Sequence, residues 1–266
     1  MITSENTFYK FHGAGNDFIL FDNRAGLSFS ETQIRHWCER HMGVGADGFI
    51  LLENDLGGAD FKMRYHNADG AEASLCGNGS RCAVAFAHYL GIIDKQCVFN
   101  AFDGLHRAKV LKFTDHRWVI SLEMNSHVRI QRYKDGYFTN TGSPHFVRFV
   151  NDVNSIDIIK EGRKLRYDPQ FPEGCNANFV IIEDNRLTVR TYERGVEDET
   201  LSCGTGVTAA ALAFALQNDL SDGNHTILIN TKGGFMQVSY TKQGEQFCSL
   251  YLEGPAVLVF KLGIFF

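Results

Sequence analysis

The sequence predicts an α+β protein built from two pseudo-symmetric halves, each a sheet wrapped around one central helix. Three observations predict this. The chain of 266 residues repeats itself once. Short runs rich in β-branched and aromatic residues recur in both halves in the same order. Two further runs, RCAVAFAHYL (81–90) and VTAAALAFAL (207–216), are apolar nearly all the way round, the pattern of a helix buried on every side.

Along the chain, ETQIRHWCERH (31–41) reads as a helix. FILLE (49–53), VFNAF (98–102) and WVISLE (118–123) read as strands bounded by Gly, Asn and Asp, with the first apolar helix between the first two. The second half repeats the order with FVIIE (179–183), the second apolar helix, TILIN (226–230) and SLYLE (249–253). An offset of 127 carries Tyr65 to Tyr192, Glu72 to Glu199, Cys76 to Cys203, and Gly15-Asn16-Asp17 to Gly142-Ser143-Pro144. An offset of 130 carries FILLE to FVIIE, VFNAFDG to LINTKGG, and ISLE to LYLE. Small loop insertions account for the change of offset. The period is too long for a solenoid, so two homologous halves are expected. The boundary is expected within the polar stretch MNSHVRIQRYKDG. GPAVLVFKLGIFF (254–266) reads as a terminal strand that crosses back to the first half. The expected domains are 1–123 plus 254–266, carrying Cys76, and 124–253, carrying Cys203.

Composition narrows the function classes. A hydrophobic fraction of 44% with 21% charged residues is that of a globular protein with a real core. A formal charge of −5 leaves no basic footprint, so no nucleic-acid partner is expected. No apolar run approaches a membrane span, and MITSENTFYKFHGAGNDF lacks the pattern of a signal peptide, so a cytoplasmic protein without a membrane partner is expected. Seven irregularly spaced cysteines without a C-x-x-C pair argue against a disulfide scaffold.

Two of those cysteines stand apart. SLCGNGSRC and LSCGTGVT each set a cysteine at the start of an apolar helix, followed by two glycines. A helix N-terminus offers unpaired N–H groups and partial positive charge, and the glycines let backbone approach a ligand. The junction is therefore an anion cradle beside a thiol whose pKa the helix end lowers. Two such halves facing each other would present two thiols to opposite sides of one carbon. That arrangement suits a two-base racemase or epimerase acting on an acid, one sulfur as thiolate and the other as thiol. A thiol redox or anion-binding protein is the competing reading. GVGADG (43–48) satisfies G-x-G-x-x-G, but a helix precedes it and a strand follows, the reverse of a dinucleotide site. His36 and His41 do not share a helical face, so no metal site is expected.

The same segments resemble the diaminopimelate epimerase family. FHGAGNDFILFDNR, HNADGAEASLCGNGSRC, TGSPHFV, CNANFVII, YERGVEDETLSCGTG and the late GPA follow the family's motifs in order from residue 11 to about 256. The resemblance implies a cofactor-independent isomerase interconverting LL- and meso-diaminopimelate in lysine and peptidoglycan synthesis. It implies two similar domains, each a mixed β-barrel around a central helix, and a homodimer. It implies Cys76 and Cys203 as the acid–base pair, with His145 and Glu193 tuning their protonation. Asn16, Asn67 and Asn176 match polar substrate contacts; Gly77, Asn78, Gly204 and Thr205 match the carboxylate cradle; Glu193 and Arg194 match a further pair. Two positions depart from the family pattern. Ser143 stands where asparagine is usual, and Gly48 where bacterial members often carry glutamine. Related folds acting on proline or on phenazine precursors remain alternatives to a diacid substrate.

Overall fold

The computed structural model describes residues 7–73, 76–124, 128–184 and 186–263. The chain divides into two compact units, Met1–Leu122 with Gly254–Phe266, and Glu123–Glu253.

In the first unit, Thr7–Gly13 (β1) and Asn16–Asp22 (β2) form a hairpin whose turn residues Ala14 and Gly15 have φ of 52° and 95°. Helix α1 (Glu31–Cys38) starts at a capping box in which Ser30 and Gln33 satisfy each other's backbone N–H groups. It stops three residues short of the predicted end. Glu39 turns extended, and the carbonyls of Trp37 and Cys38 are taken by the N–H groups of Val44, Gly45 and Ala46. The returning loop replaces the last helical turn. Gly48–Glu53 (β3) then pairs parallel to β2, and Phe61–Asn67 (β4) antiparallel to β3. Helix α2 (Gly77–Tyr89) leads to Gln96–Ala101 (β5), parallel to β4, and the unit continues antiparallel through Gly104–Thr114 (β6) and Arg117–Glu123 (β7).

The second unit repeats this plan. Val128–Tyr133 (β8), Gly136–Asn140 (β9) and Pro144–Phe149 (β10) run antiparallel. Helix α3 (Ile158–Arg166), which the sequence reading missed, leads to Asn176–Glu183 (β11), parallel to β10. Its buried stripe is only Ile158, Gly162 and Leu165, too thin to stand out in a charged segment. The glycine is required, because a Cβ there would lie 2.3 Å from Tyr192 Cβ. Arg186–Glu193 (β12), the short Asp198–Thr200 (β13), helix α4 (Gly204–Gln217), Gly223–Thr231 (β14), Gly234–Gln243 (β15) and Gln246–Gly263 (β16) follow, with β14 parallel to β12.

Each unit closes on itself. The start of β16 pairs with β15 and, through Gln246 and Phe247, with β8. From Gly254 onward the same strand pairs with β7 and then β1, as far as Thr7 against Gly263. Each unit is thus a closed mixed barrel of eight strands, with two parallel pairs in each, β2/β3 and β4/β5 in one, β10/β11 and β12/β14 in the other. Helix α2 is buried from Asn78 to Ala87 and α4 along nearly all of its length. The alanines of α4, Ala209 to Ala211 with Ala213 and Ala215, let strands approach closely. No helix among the described residues is long and apolar enough to cross a membrane.

The barrel wall leaves no room for a side chain at position 48. A Cβ on Gly48 would meet the Tyr65 ring at 2.5 Å and the His66 carbonyl at 2.7 Å. Tyr65 fills the space a longer residue 48 would need. Gly48→Ala should therefore destabilise the protein by about 1–3 kcal/mol in urea unfolding. An unchanged midpoint would show that the wall yields without cost.

Candidate functional site

Cys76 and Cys203 are the N-cap residues of the two buried helices. Their backbone angles nearly coincide, φ −107° and ψ 117° against φ −118° and ψ 112°. In both, the cysteine carbonyl accepts the first helical hydrogen bond, from Ser80 N at 2.8 Å and from Val207 N at 2.9 Å. Neither side chain caps its own helix. The N–H groups of Gly77, Asn78 and Gly79, and of Gly204, Thr205 and Gly206, lie in the first turn of each helix, where no helical carbonyl precedes them as an acceptor. The glycines are sterically required at two points. A Cβ on Gly206 would lie 2.5 Å from Asn178 Oδ1, and one on Gly13 would lie 2.7 Å from the Asn78 carbonyl.

Around the Cys76 junction the side chains form a chain of amides. Asn16 Nδ2 donates to Asp47 Oδ2 at 3.1 Å, and Asn16 Oδ1 accepts from Asn78 Nδ2. Asn78 Oδ1 accepts from Arg81 Nη2 at 2.6 Å. Asp47 is held by Arg40 at 2.6 Å, and Arg40 also binds Asp17, which is paired with Lys10 at 2.7 Å. Burial alone would raise the Asp17 carboxyl, but the hydrogen bonds from Arg40 and Lys10 hold it at about 2. Sequence reasoning named Asn16 and Asn78 but missed Asp47, Asp17, Lys10, Arg40 and Arg81. Asp47 lies inside the GVGADG run, whose role is to bring this carboxylate under Asn16. Asn67 is the exposed last residue of β4, and its carbonyl accepts from Gly70 N at 2.9 Å.

Around the Cys203 junction the partners form a neutral relay. Thr191 Oγ1 donates to Asn178 Oδ1 at 2.9 Å, and Asn178 Nδ2 donates to the Phe146 carbonyl at 3.0 Å. This fixes the Asn178 amide so that Nδ2 faces His145 Nδ1 at 3.1 Å. His145 Nδ1 is then the acceptor, and Nε2 carries the proton toward Thr205 Oγ1 at 2.8 Å. Thr205 Oγ1 lies 3.5 Å from Cys203 Sγ. His145 is fully buried, and that burial, against the Asn178 hydrogen bond, pushes its pKa down to about 3, so it stays neutral. Asn178 was the missed member. An N-x-N pair on a strand puts both asparagines on one face, which was readable from CNANF.

Asn176 is buried and spends both amide hydrogens, on Ser143 Oγ at 2.9 Å and the Pro144 carbonyl at 2.8 Å, while its Oδ1 receives Arg194 N at 2.8 Å. The Ser143 hydroxyl thus helps to hold the Asn176 amide. Arg194 Nη1 donates to the Glu173 carbonyl at 3.0 Å, and Glu193 Oε2 accepts from Thr200 Oγ1 at 2.8 Å. In the second unit, therefore, His145, Thr205, Cys203 and Gly204 share one junction, and Asn176 ties down the strand end that leads to Glu193 and Arg194. The thiols of Cys38, Cys97 and Cys175 are pushed up to about 12 by burial, and Cys82 still further, which leaves them inert in the core. Among the described residues, no cluster of three His, Cys, Asp or Glu is placed to hold a metal ion.

Comparison with known proteins covers most of the chain. A family profile described as diaminopimelate epimerase matches residues 8–121 and 137–259. The diaminopimelate epimerase of Flavobacterium psychrophilum is 44% identical over 260 residues, covering 96% of this chain and 99% of that protein. That of Chlorobaculum tepidum is 42% identical, covering 94% and 97%. Among solved structures, a phenazine biosynthesis protein of the PhzF family from Bacillus anthracis superposes with a TM-score of 0.76 at 12% identity, covering 98% of this chain and 99% of that one, a likeness of fold.

The buried histidine has a consequence for acid stability. In the unfolded chain His145 titrates near 6.5, and in the folded chain near 3. Between those values the unfolded state binds the extra proton, so stability falls as pH drops from 6.5 toward 3. Asp17 acts in a lower window, losing its contribution as pH falls from 3.8 through about 2. Urea midpoints should therefore decline between pH 6.5 and 4, and a folded His145→Gln variant should lose less over that range. An equal slope in the variant would remove His145 as the cause.

Proposed function

The chain belongs to the diaminopimelate epimerase family, and from that premise we propose that it interconverts LL- and meso-2,6-diaminopimelate, in lysine and peptidoglycan biosynthesis, by a two-thiol mechanism. The observation that carries the reading is the twin junction: two cysteines, each the N-cap of a buried helix, in nearly the same backbone geometry. In the proposed reaction one sulfur, as thiolate, takes the α-proton and becomes a thiol. The other, as thiol, returns a proton to the opposite face and becomes a thiolate. Charge on the protein is unchanged, and the carbon is inverted. The negative charge that develops on the α-carbon and its carboxylate is met by the helix N–H groups of Gly77, Asn78, Gly204 and Thr205. The reaction as proposed needs neither metal nor pyridoxal phosphate.

The remaining roles follow the family. Asn16, Asn67, Asn176, Glu193 and Arg194 are proposed to hold the substrate, with Arg194 gripping the far carboxylate, which favours a diacid over proline. His145 and Glu193 are proposed to tune the thiols. Thr205 gives the His145 role a route, because its hydroxyl stands between the histidine and Cys203. The protein is proposed to work in the cytoplasm as a homodimer. Support for a dimer comes from the first unit, which exposes Leu111, Phe113 and Val119 on β6 and β7, and Val259, Phe260 and Leu262 along β16.

With LL-diaminopimelate in D₂O under reducing conditions, the protein should incorporate α-deuterium and form the meso isomer. Folded protein that exchanges nothing would sink the substrate assignment. Cys76→Ala and Cys203→Ala, each alone, should slow epimerisation by roughly 10²–10⁴-fold, and a near-wild-type rate in either would rule out the two-thiol mechanism. For assembly, light scattering at micromolar concentration should give twice the chain mass, reduced toward the monomer by Phe260→Asp. A wild-type monomer under those conditions would refute the dimer.

A further inference from the structure

Arg81 lies in the interior of the first barrel with its side chain wholly buried. Its guanidinium donates from Nη2 to Asn78 Oδ1 at 2.6 Å, from Nη1 to the Gly77 carbonyl at 3.4 Å, and from Nε to the Pro255 carbonyl at 3.4 Å. All three acceptors are neutral. Among the described residues no carboxylate lies within ion-pair distance of it. Burial lowers its pKa to about 10, which leaves it cationic at neutral pH. An unpaired buried charge is costly, and such a charge is ordinarily matched by a counter-ion.

Several charged groups on the neighbouring strands are engaged elsewhere. On the strands packed against α2, Asp17 is paired with both Lys10 and Arg40, and Arg64 is paired with Glu53 and Glu72. His12 is held below its ordinary range by burial and by Arg117, and His66 Nδ1 faces the Gly70 carbonyl. Cys76 caps the same helix, directly before Gly77 and Asn78, whose oxygens the guanidinium holds, and Cys82 follows Arg81 along α2; both thiols favour the charged guanidinium. Cys82 is completely buried, and burial drives its thiol far up, so it stays protonated. That leaves Cys76.

The duplication sharpens the point. The residue that repeats Arg81 at the offset of the two cysteines is Thr208. Thr208 Oγ1 donates to the Gly204 carbonyl at 2.9 Å, just as Arg81 Nη1 donates to the carbonyl of Gly77, the residue that repeats Gly204. The same structural task is done by a neutral hydroxyl in one half and by a full positive charge in the other. Filling that place does not require a cation.

We propose that Arg81 is a positioning residue for the Cys76 half of the reaction, its buried guanidinium fixing the Asn78 amide and presenting to Cys76 a permanent positive charge for which the thiolate is the counter-ion. The inference rests on the reading of Cys76 as a proton-transfer thiol. The two thiols are then kept reactive by different means. Cys76 is served by a charge in its helix, and Cys203 by the uncharged chain from Asn178 through His145 and Thr205.

The test is the pH profile of alkylation by iodoacetamide at Cys76 and Cys203, each followed by peptide mass spectrometry in the reduced protein. In the wild type, the Cys76 midpoint should lie below the ordinary thiol value of about 8.5, and a midpoint at or above that value would overturn the proposal without any variant. Arg81→Met should raise the Cys76 midpoint by about one pH unit or more and leave that of Cys203 in place, while Arg81→Lys restores most of the shift. An unchanged Cys76 midpoint in folded Arg81→Met, or a parallel shift at both cysteines, would overturn it. None of these readings needs turnover. A low Cys76 midpoint in a protein that exchanges no deuterium would sink the substrate assignment and leave the role of Arg81 standing.

Discussion

A helix that is apolar on every face has to be enclosed, and each half of this protein is organised by that requirement. Enclosure calls for a sheet that curves until its edges meet, and eight strands do so around α2 and again around α4. Closure also removes the exposed strand edges that an open sheet of this size would carry. What the barrel cannot cover is the helix N-terminus, whose leading N–H groups have no helical partner. The first turn is where polarity enters an otherwise dry core. The cysteines, glycines and asparagines gather there because that is the point at which a buried helix still has donors to offer.

Much of this was legible in the sequence, for physical reasons. The two helices were readable because a run of ten residues apolar nearly all the way round belongs to a helix enclosed on every side. The duplication was readable because the strands kept their order. The placement of Cys76 and Cys203 at helix starts followed from those two signals. What escaped was of two kinds. Helix α1 ends early and α3 went unseen, because a returning loop and a thin stripe interrupted by Gly162 decide them, and neither is a matter of local propensity. The polar networks escaped because their partners are far apart along the chain. Asp47 meets Asn16 across a separation of 31 residues and Thr205 meets His145 across 60. No local pattern announces such a meeting. Only the alternation of Asn176 and Asn178 carried a signal that was there to be read.

The two junctions share a backbone and differ in the electrostatics built upon it. In the first, two carboxylates, an arginine and a lysine are linked by ion pairs, and a second arginine is buried among neutral acceptors. In the second, the buried groups near the cysteine are hydroxyl, imidazole and amide, all uncharged. Duplication preserved what folding requires, the glycines, the N-cap angles and the first helical hydrogen bonds. The side chains that surround each sulfur were left to diverge. Gly48 and Ser143 fit the same view, since each is matched by a neighbour, Tyr65 in one case and Asn176 in the other.

The long strand β16 sets the order in which the protein can be completed. The second barrel takes all of its strands from one uninterrupted stretch, Glu123–Glu253, and can close as soon as that stretch is available. The first barrel cannot. It is made first on the ribosome, yet its eighth strand, Gly254–Gly263, is made only after the whole of the second unit. Until then β1 and β7 are open edges beside an apolar helix. The half synthesised earlier is therefore the half finished later, with a closing contact between Thr7 and Gly263 that spans nearly the entire chain. Contacts of that span make folding slow and leave the waiting edges open to aggregation, so this protein's exposure to misfolding lies in its first 120 or so residues during synthesis.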